Sequence, residues 1–221
     1  DTARDVVVFL NESFNRPAEL FALDAQTGKA RQLTYFHDEA LAQLDPGKGK
    51  THRAYLWAYR NTTQQTGPPI VVFDYQTSRA GRHAKAFLAD WRGHLMVDDF
   101  KGYKALFTNG VTELGCIAHS RRKFFDLNAA QANPIAVEAL NRIAALYAIE
   151  HQGKAMDVAA RTQWRREQAQ PLLDSLHAWL RSTRVMVANG SSTAKAMDYS
   201  INRWAALSRY AADGRLSIDN N

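Results

Sequence analysis

Hydrophobic positions along the chain fall into three successive patterns, and each predicts a different kind of structure. Residues 6–10 (VVVFL) form a β-branched apolar run, residues 19–24 alternate, and residues 31–36 give a third short strand. Turn residues at Asn15-Arg16-Pro17 and Gln26-Thr27-Gly28-Lys29 separate them, which predicts a β-meander. Three such strands hold too little core to be stable alone. The run of turn and basic residues at 45–50 (DPGKGK) predicts a loop and a boundary. Beyond it, residues 55–60 and 70–75 read as two strands of a hairpin. Residues 84–91 have helical spacing, 93–97 read as a short buried strand, 100–107 as helix and 111–118 as a further strand. From Ser120 to about Tyr210 the pattern is almost wholly helical. Apolar stripes run through Ile135, Ala139, Leu140, Ile143, Leu146 and Tyr147, then Leu172, Leu173, Leu176, Trp179 and Leu180, then Met197, Tyr199, Ile201, Trp204 and Leu207. Strands alternating with helices after a hairpin predict an α/β fold with a sheet of mixed direction.

Composition narrows the class without naming a function. The 221 residues are 46% hydrophobic and 23% charged, which excludes wholesale disorder, collagen-like repeats and a disulfide scaffold. No apolar run reaches the length of a membrane span. The opening stretch DTARDVVVFLNESF has acids around its apolar run and no basic leader, so a signal peptide is not expected. Cys116 is the single cysteine and fits a reducing, cytoplasmic compartment. The formal charge of +6 is divided unevenly. Residues 1–44 carry 4 basic and 7 acidic side chains, a net of −3, and residues 45–221 carry 24 against 15, a net of +9. A polyanionic partner such as nucleic acid would meet the larger piece.

Few residues stand where chemistry would need them. Asp98 directly follows the 93–97 strand, and ligands of open α/β sheets gather at carboxyl ends of strands. Carboxylates brought together there can hold magnesium and support phosphodiester chemistry. An aspartate in this place can equally cap the helix that follows. Cys116 and His119 have zinc-like spacing but no second pair to complete a site. Arg121, Arg122 and Lys123 at a helix start can hold phosphate or form a solvated basic face. Arg161, Arg165 and Arg166 around Trp164 read as a surface helix more readily than as a DNA contact.

Five stretches resemble the catalytic region of transposases of the insertion sequence 66 group: DPGKGKTHRAYLWAYR (45–60), PPIVVFDYQTSRAG (68–81), FLADWRGHLMVDDFKGY (87–103), GCIAHSRRKFFDLNAA (115–130) and INRWAALSRYAADGRLSIDNN (201–221). They follow the order of that group over about four-fifths of the chain. The resemblance implies an RNase H-like α/β fold with a large helical insertion: a core over 45–119 and a helical region over 120–221. It also implies two aspartates and a glutamate using Mg2+, DNA as partner, room for homo-oligomers, and DNA strand cleavage followed by transfer of the freed 3′ hydroxyl. Asp98 matches the second aspartate, while Asp99 stands where the group carries a small residue. Asp38, in His37-Asp38-Glu39-Ala40, is the nearest match to the first, in a motif that lacks the group's alanine and threonine. Asp98 and Asp38 are therefore the expected catalytic acids and metal ligands. The glutamate follows the IDNN motif by a few residues, and the sequence stops at Asn221, before it.

Residues 5–44, especially SFNRPAELFALDAQTGKARQLTYF (13–36), resemble a propeller blade of prolyl oligopeptidase-type peptidases. The leader 1–44 is accordingly expected to be foreign to the rest. These observations together lead us to expect a transposase-derived protein acting on DNA, with an incomplete set of acids and no strand cleavage by the chain alone. The alternative is a non-catalytic DNA-binding or interaction remnant.

Overall fold

A computed structural model describes residues 6–13, 16–24, 30–32, 53–61 and 70–220, in two compact units, Asp1–Ala54 and Tyr55–Asn221. In the first unit, β1 (Val6–Ser13), β2 (Arg16–Asp24) and β3 (Ala30–Gln32) form an antiparallel sheet in the order β1-β2-β3. This is the expected meander. Val6 pairs with Asp24 and Leu10 with Leu20, and the register slips between Asn11 and Ser13. The predicted strand at 31–36 runs past Gln32 into residues outside the described set, as do the loop at 45–50 and Asp38.

The second unit is mixed α/β. β4 (Tyr55–Arg60) and β5 (Val71–Gln76) pair antiparallel, with Tyr55 opposite Gln76 and Arg60 opposite Val71. β6 (Gly93–Val97) and β7 (Val111–Gly115) pair in parallel, with Val97 opposite Gly115. Among the described residues these are two separate two-stranded sheets, where the sequence led us to expect one. Parallel pairing requires a crossover. Here it is a 3₁₀ turn (Lys101–Tyr103) running into α2 (Lys104–Phe107). α1 (Gly81–Leu88) precedes β6 and ends earlier than its apolar spacing predicts, because Ala89 turns the chain at φ 42°. Trp57, Ala84, Leu106 and Val111 form a small core beneath these elements.

Helices complete the unit. α3 (Ile117–Ala130) starts within the stretch expected to be the end of a strand, since β7 stops at Gly115. α4 (Pro134–Gln152) is a helix separate from α3, within the stretch from Ser120 to about Tyr210 whose pattern is almost wholly helical. Asn133 caps it, accepting from Ala136 N at 3.0 Å, and Pro134 fits the first turn, where no donor is needed. α5 (Val158–Trp164) passes through a π-helical turn (Arg165–Ala169) into α6 (Gln170–Arg184). α7 (Ser192–Asn202) and α8 (Trp204–Ser208) follow, then a 3₁₀ turn at Arg209–Ala212. The predicted stripes are buried at Ala139, Ile143, Leu146, Leu173, Leu176, Leu180, Met197 and Leu207, in one core that also takes in Leu114 of β7.

Arg161 and Arg165, expected on a surface helix, are instead interior. Arg165 is 0% exposed. Its guanidinium pairs with Glu150 through Nε–Oε1 at 2.9 Å and donates to the carbonyls of Tyr210, Asp213 and Leu216 at 2.8–3.0 Å. Arg161 donates to the carbonyls of Gly153, Lys154, Met156 and Gly214. Buried charge is tolerated only when its donors are satisfied. The carbonyls of irregular segments at 153–156 and 210–216 do this here. Arg166 is the exposed member of the group.

Candidate functional site

The parallel register of β6 and β7 decides what lies at the site. Because Val97 pairs with Gly115, both strands end at the same edge, and Asp98 and Cys116 leave that edge side by side. A pocket of about 310 Å³ opens there. Among the described residues it is lined by Tyr55, Trp57 and Ala58 of β4, Arg79, the Met96–Asp98 stretch, Phe100, Tyr103, His119 and Asn220. Sequence-distant stretches therefore converge: β4, Arg79, the end of β6 with the turn after it, the first turn of α3 and the IDNN stretch.

Asp98 is exposed, and its Oδ1 accepts from Phe100 N at 3.2 Å. That contact orders the turn and is not a helix cap: the 3₁₀ turn after it begins at Lys101 with no side-chain cap. The backbone carbonyl of Asp98 accepts from Tyr199 Oη at 3.3 Å. Asp99 behaves differently. Its backbone lies in the left-handed region at φ 83°, and its carboxylate turns inward to an ion pair with Arg203, with Lys104 at 3.7 Å. Arg203 also donates to Glu113 Oε1 at 2.8 Å. Tyr103 is held above its ordinary range by burial and then by the charge of Asp98, against the pull of Arg79. Tyr199 is pushed up to about 12, chiefly by burial, so it stays a neutral donor.

The basic residues divide by role. Arg79 stacks over the Phe100 ring at 4.1 Å from its centroid. Arg121, Arg122 and Lys123 are all exposed on α3, in its second turn. Successive helical residues point about 100° apart, so the three splay. Arg121 leans toward the Phe125 ring, while Lys123 sits 4.5 Å from the ring centroid of Tyr199, the residue that touches Asp98. Cys116 is fully buried, and its thiol donates to Asn220 Oδ1 at 3.1 Å, a packing role unlike a zinc ligand. His119 Nδ1 is buried without a hydrogen-bond partner. Among the described residues, no group of three His, Cys, Asp or Glu could hold a metal ion. Asp98 contributes one carboxylate, and Asp38 lies outside the described residues.

The sequence singled out Asp98 by its place at a strand end, and His119, with Cys116, by zinc-like spacing. Asn220, Arg79 and Tyr199 carry no such signal, because only folding brings them near.

The family model described as Transposase IS66 family matches residues 22–221, nine-tenths of the chain. The chain belongs to the IS66 transposase family. The match takes in all five stretches quoted above and begins within the leader. Nothing among the matches supports the likeness of residues 5–44 to a propeller blade. Similar proteins in Sinorhizobium fredii (strain NBRC 101917 / NGR234) are the uncharacterized protein y4qI, 34% identical over 87% of this chain and 38% of its own length, and the uncharacterized protein y4hP, 32% identical over 71% and 31%. The uncharacterized protein y4jD is 30% identical over 86% and 39%. The IS66 chain thus spans less than two-fifths of these relatives. No solved structure matches it. No helix among the described residues is long and apolar enough to cross a membrane.

Proposed function

We propose that this chain is the DNA-handling core of an IS66 transposase, built on an RNase H-like arrangement of β4 to β7. In this reading Asp98 is one of the acids that serve strand cleavage and transfer in the longer protein. The observation that carries it is the contrast at the end of β6, where Asp99 is neutralised by Arg203 and Asp98 is left facing solvent. A carboxylate kept exposed in a pocket, beside a carboxylate committed to the fold, is available for chemistry. The described residues do not assemble a magnesium site, so no metal-dependent step is derived from them. What the chain's own residues supply is a surface for DNA: Arg121, Arg122 and Lys123 are exposed on the helix that opens from the same strand edge.

Fluorescence anisotropy with a short DNA duplex over a salt series tests this. Three phosphate contacts predict a log–log slope of about −3 with salt concentration. Replacing Arg121, Arg122 and Lys123 together by alanine flattens the slope. Binding that is indifferent to salt refutes the reading.

A further inference from the structure

The IDNN stretch, whose role in the sequence was only to precede a further acid, is tied down group by group. Ile117 N donates to Ile218 O at 3.1 Å, and Arg165 donates to Leu216 O at 2.9 Å. Leu216 and Ile218 are buried in the main core. Asp219 accepts from Tyr147 Oη at 2.7 Å, and burial together with this bond holds the Tyr147 phenol far above its ordinary range, as a fixed donor. Asn220 reaches the pocket, and it is exposed.

The Cys116 contact fixes which end of the Asn220 carboxamide is spent. A thiol is a weak donor, and here it donates to Oδ1. The Nδ2 amide, with two N–H groups, is left as the donor end. It stands in a pocket shared with Asp98 and Arg79. We propose that Asn220 is a DNA-backbone contact of this site, its amide donating to a phosphate oxygen of the bound strand, and that Cys116 is the positioning residue that orients it. This rests on the DNA-handling function above. A neutral donor suits this place: it binds a phosphate without neutralising Asp98, while Arg79 and Lys123 supply the charge. It also gives a buried cysteine a reason to face a polar side chain.

The test uses the whole chain, a fluorescein-labelled DNA duplex, and a chelator so that no strand is cut. Asn220→Ala weakens binding about tenfold, the lower end expected for a hydrogen bond to a charged group at an exposed position. Because the lost group is neutral, the salt slope stays unchanged, whereas Lys123→Ala lowers it by about one. Cys116→Ala weakens binding in the same direction, Cys116→Ser restores it, and Cys116→Ala combined with Asn220→Ala is no weaker than Asn220→Ala alone. Melting temperatures are read alongside. The exposed Asn220 position leaves the fold intact, so Asn220→Ala decides even if a Cys116 variant unfolds. Binding of Asn220→Ala within twofold of the unaltered chain overturns the contact. Equal loss in Cys116→Ser and Cys116→Ala, with both folded, overturns the positioning role. Absence of salt-dependent binding by the unaltered chain overturns the DNA-handling function itself, and the contact with it.

Discussion

Replacing Arg165 by methionine should be among the most damaging single changes in the chain. The guanidinium has no solvent contact and spends its donors on Glu150 and three carbonyls. Methionine fills similar volume, so the loss is electrostatic and not a cavity. Removing one member of a buried ion pair costs about 3–5 kcal/mol, because the partner charge is left without compensation. The stranded carbonyls of Tyr210, Asp213 and Leu216 add to this, while the partial exposure of Glu150, whose side chain is 15% accessible, subtracts from it. A net loss of about 4 kcal/mol follows, which for a unit of this size lowers the melting temperature by roughly 8–16 °C.

Urea unfolding followed by tryptophan fluorescence measures the loss, since Trp164 and Trp204 pack against this core. Arg165→Met with Glu150→Leu should lie closer to the unaltered chain than Arg165→Met alone, since it also removes the orphaned carboxylate. Hydrogen exchange supplies an independent reading. The clamp fastens residues 210–216, so amides from Leu216 to Asn220 should exchange faster in Arg165→Met, and the α4 amides that open only by global unfolding should lose protection by the same about 4 kcal/mol. A loss under about 1 kcal/mol, or unchanged exchange in that stretch, would refute the reasoning.

Two further changes probe the site and the helical core. A Cβ at Gly81 would run into the backbone carbonyl of Gly102, so Gly81→Ala must push α1 away from the turn after Asp98. We expect about 1–3 kcal/mol of destabilisation in urea unfolding together with weaker duplex binding; a variant of unchanged stability would show that the turn gives way freely. His177 stacks flat on Trp204, with ring centroids 4.7 Å apart, and burial first and then Arg181 hold its pKa below the ordinary value. A depressed histidine favours its neutral form in the fold, so stability is full above the ordinary range near pH 6.5 and declines as pH falls through it. His177→Gln should flatten that decline in melting temperature measured from pH 8 to pH 5. An identical acid slope in both proteins would refute the assignment.

The helical core was legible because its signal is local and repeated. Ile143, Leu146, Leu173, Leu176 and Leu180 recur at helical spacing and are buried as that spacing requires. Boundaries were less legible, since each depends on a single residue. Asn133 with Pro134 separates α4 from α3 within a stretch whose pattern is almost wholly helical, and the early stop of β7 converts residues 117 and 118 from strand to helix. Arg161 and Arg165 were misjudged for a physical reason: charged residues are almost never fully buried unless paired. Their partners are mostly carbonyls of irregular segments, which carry no sequence pattern. The site followed the same division. Asp98 was visible from a strand end, whereas the contact between Cys116 and Asn220 spans 104 residues and exists only in the folded chain.

Arg203 explains why two adjacent aspartates have different fates. A residue at φ 83° is strained unless it is glycine or, less severely, asparagine or aspartate. Among residues with a side chain, asparagine and aspartate tolerate that backbone best. Aspartate adopts it here with a compensating ion pair to Arg203, which is anchored on its other side by Glu113 of β7. The left-handed turn brings the Asp99 carboxylate to Arg203 and leaves Asp98 on the outer side. Had Asp99 remained unpaired, two free carboxylates would face the same DNA and repel its phosphates together. Asp99 is therefore committed to structure, and among the described residues this leaves Asp98 as the one carboxylate lining the pocket.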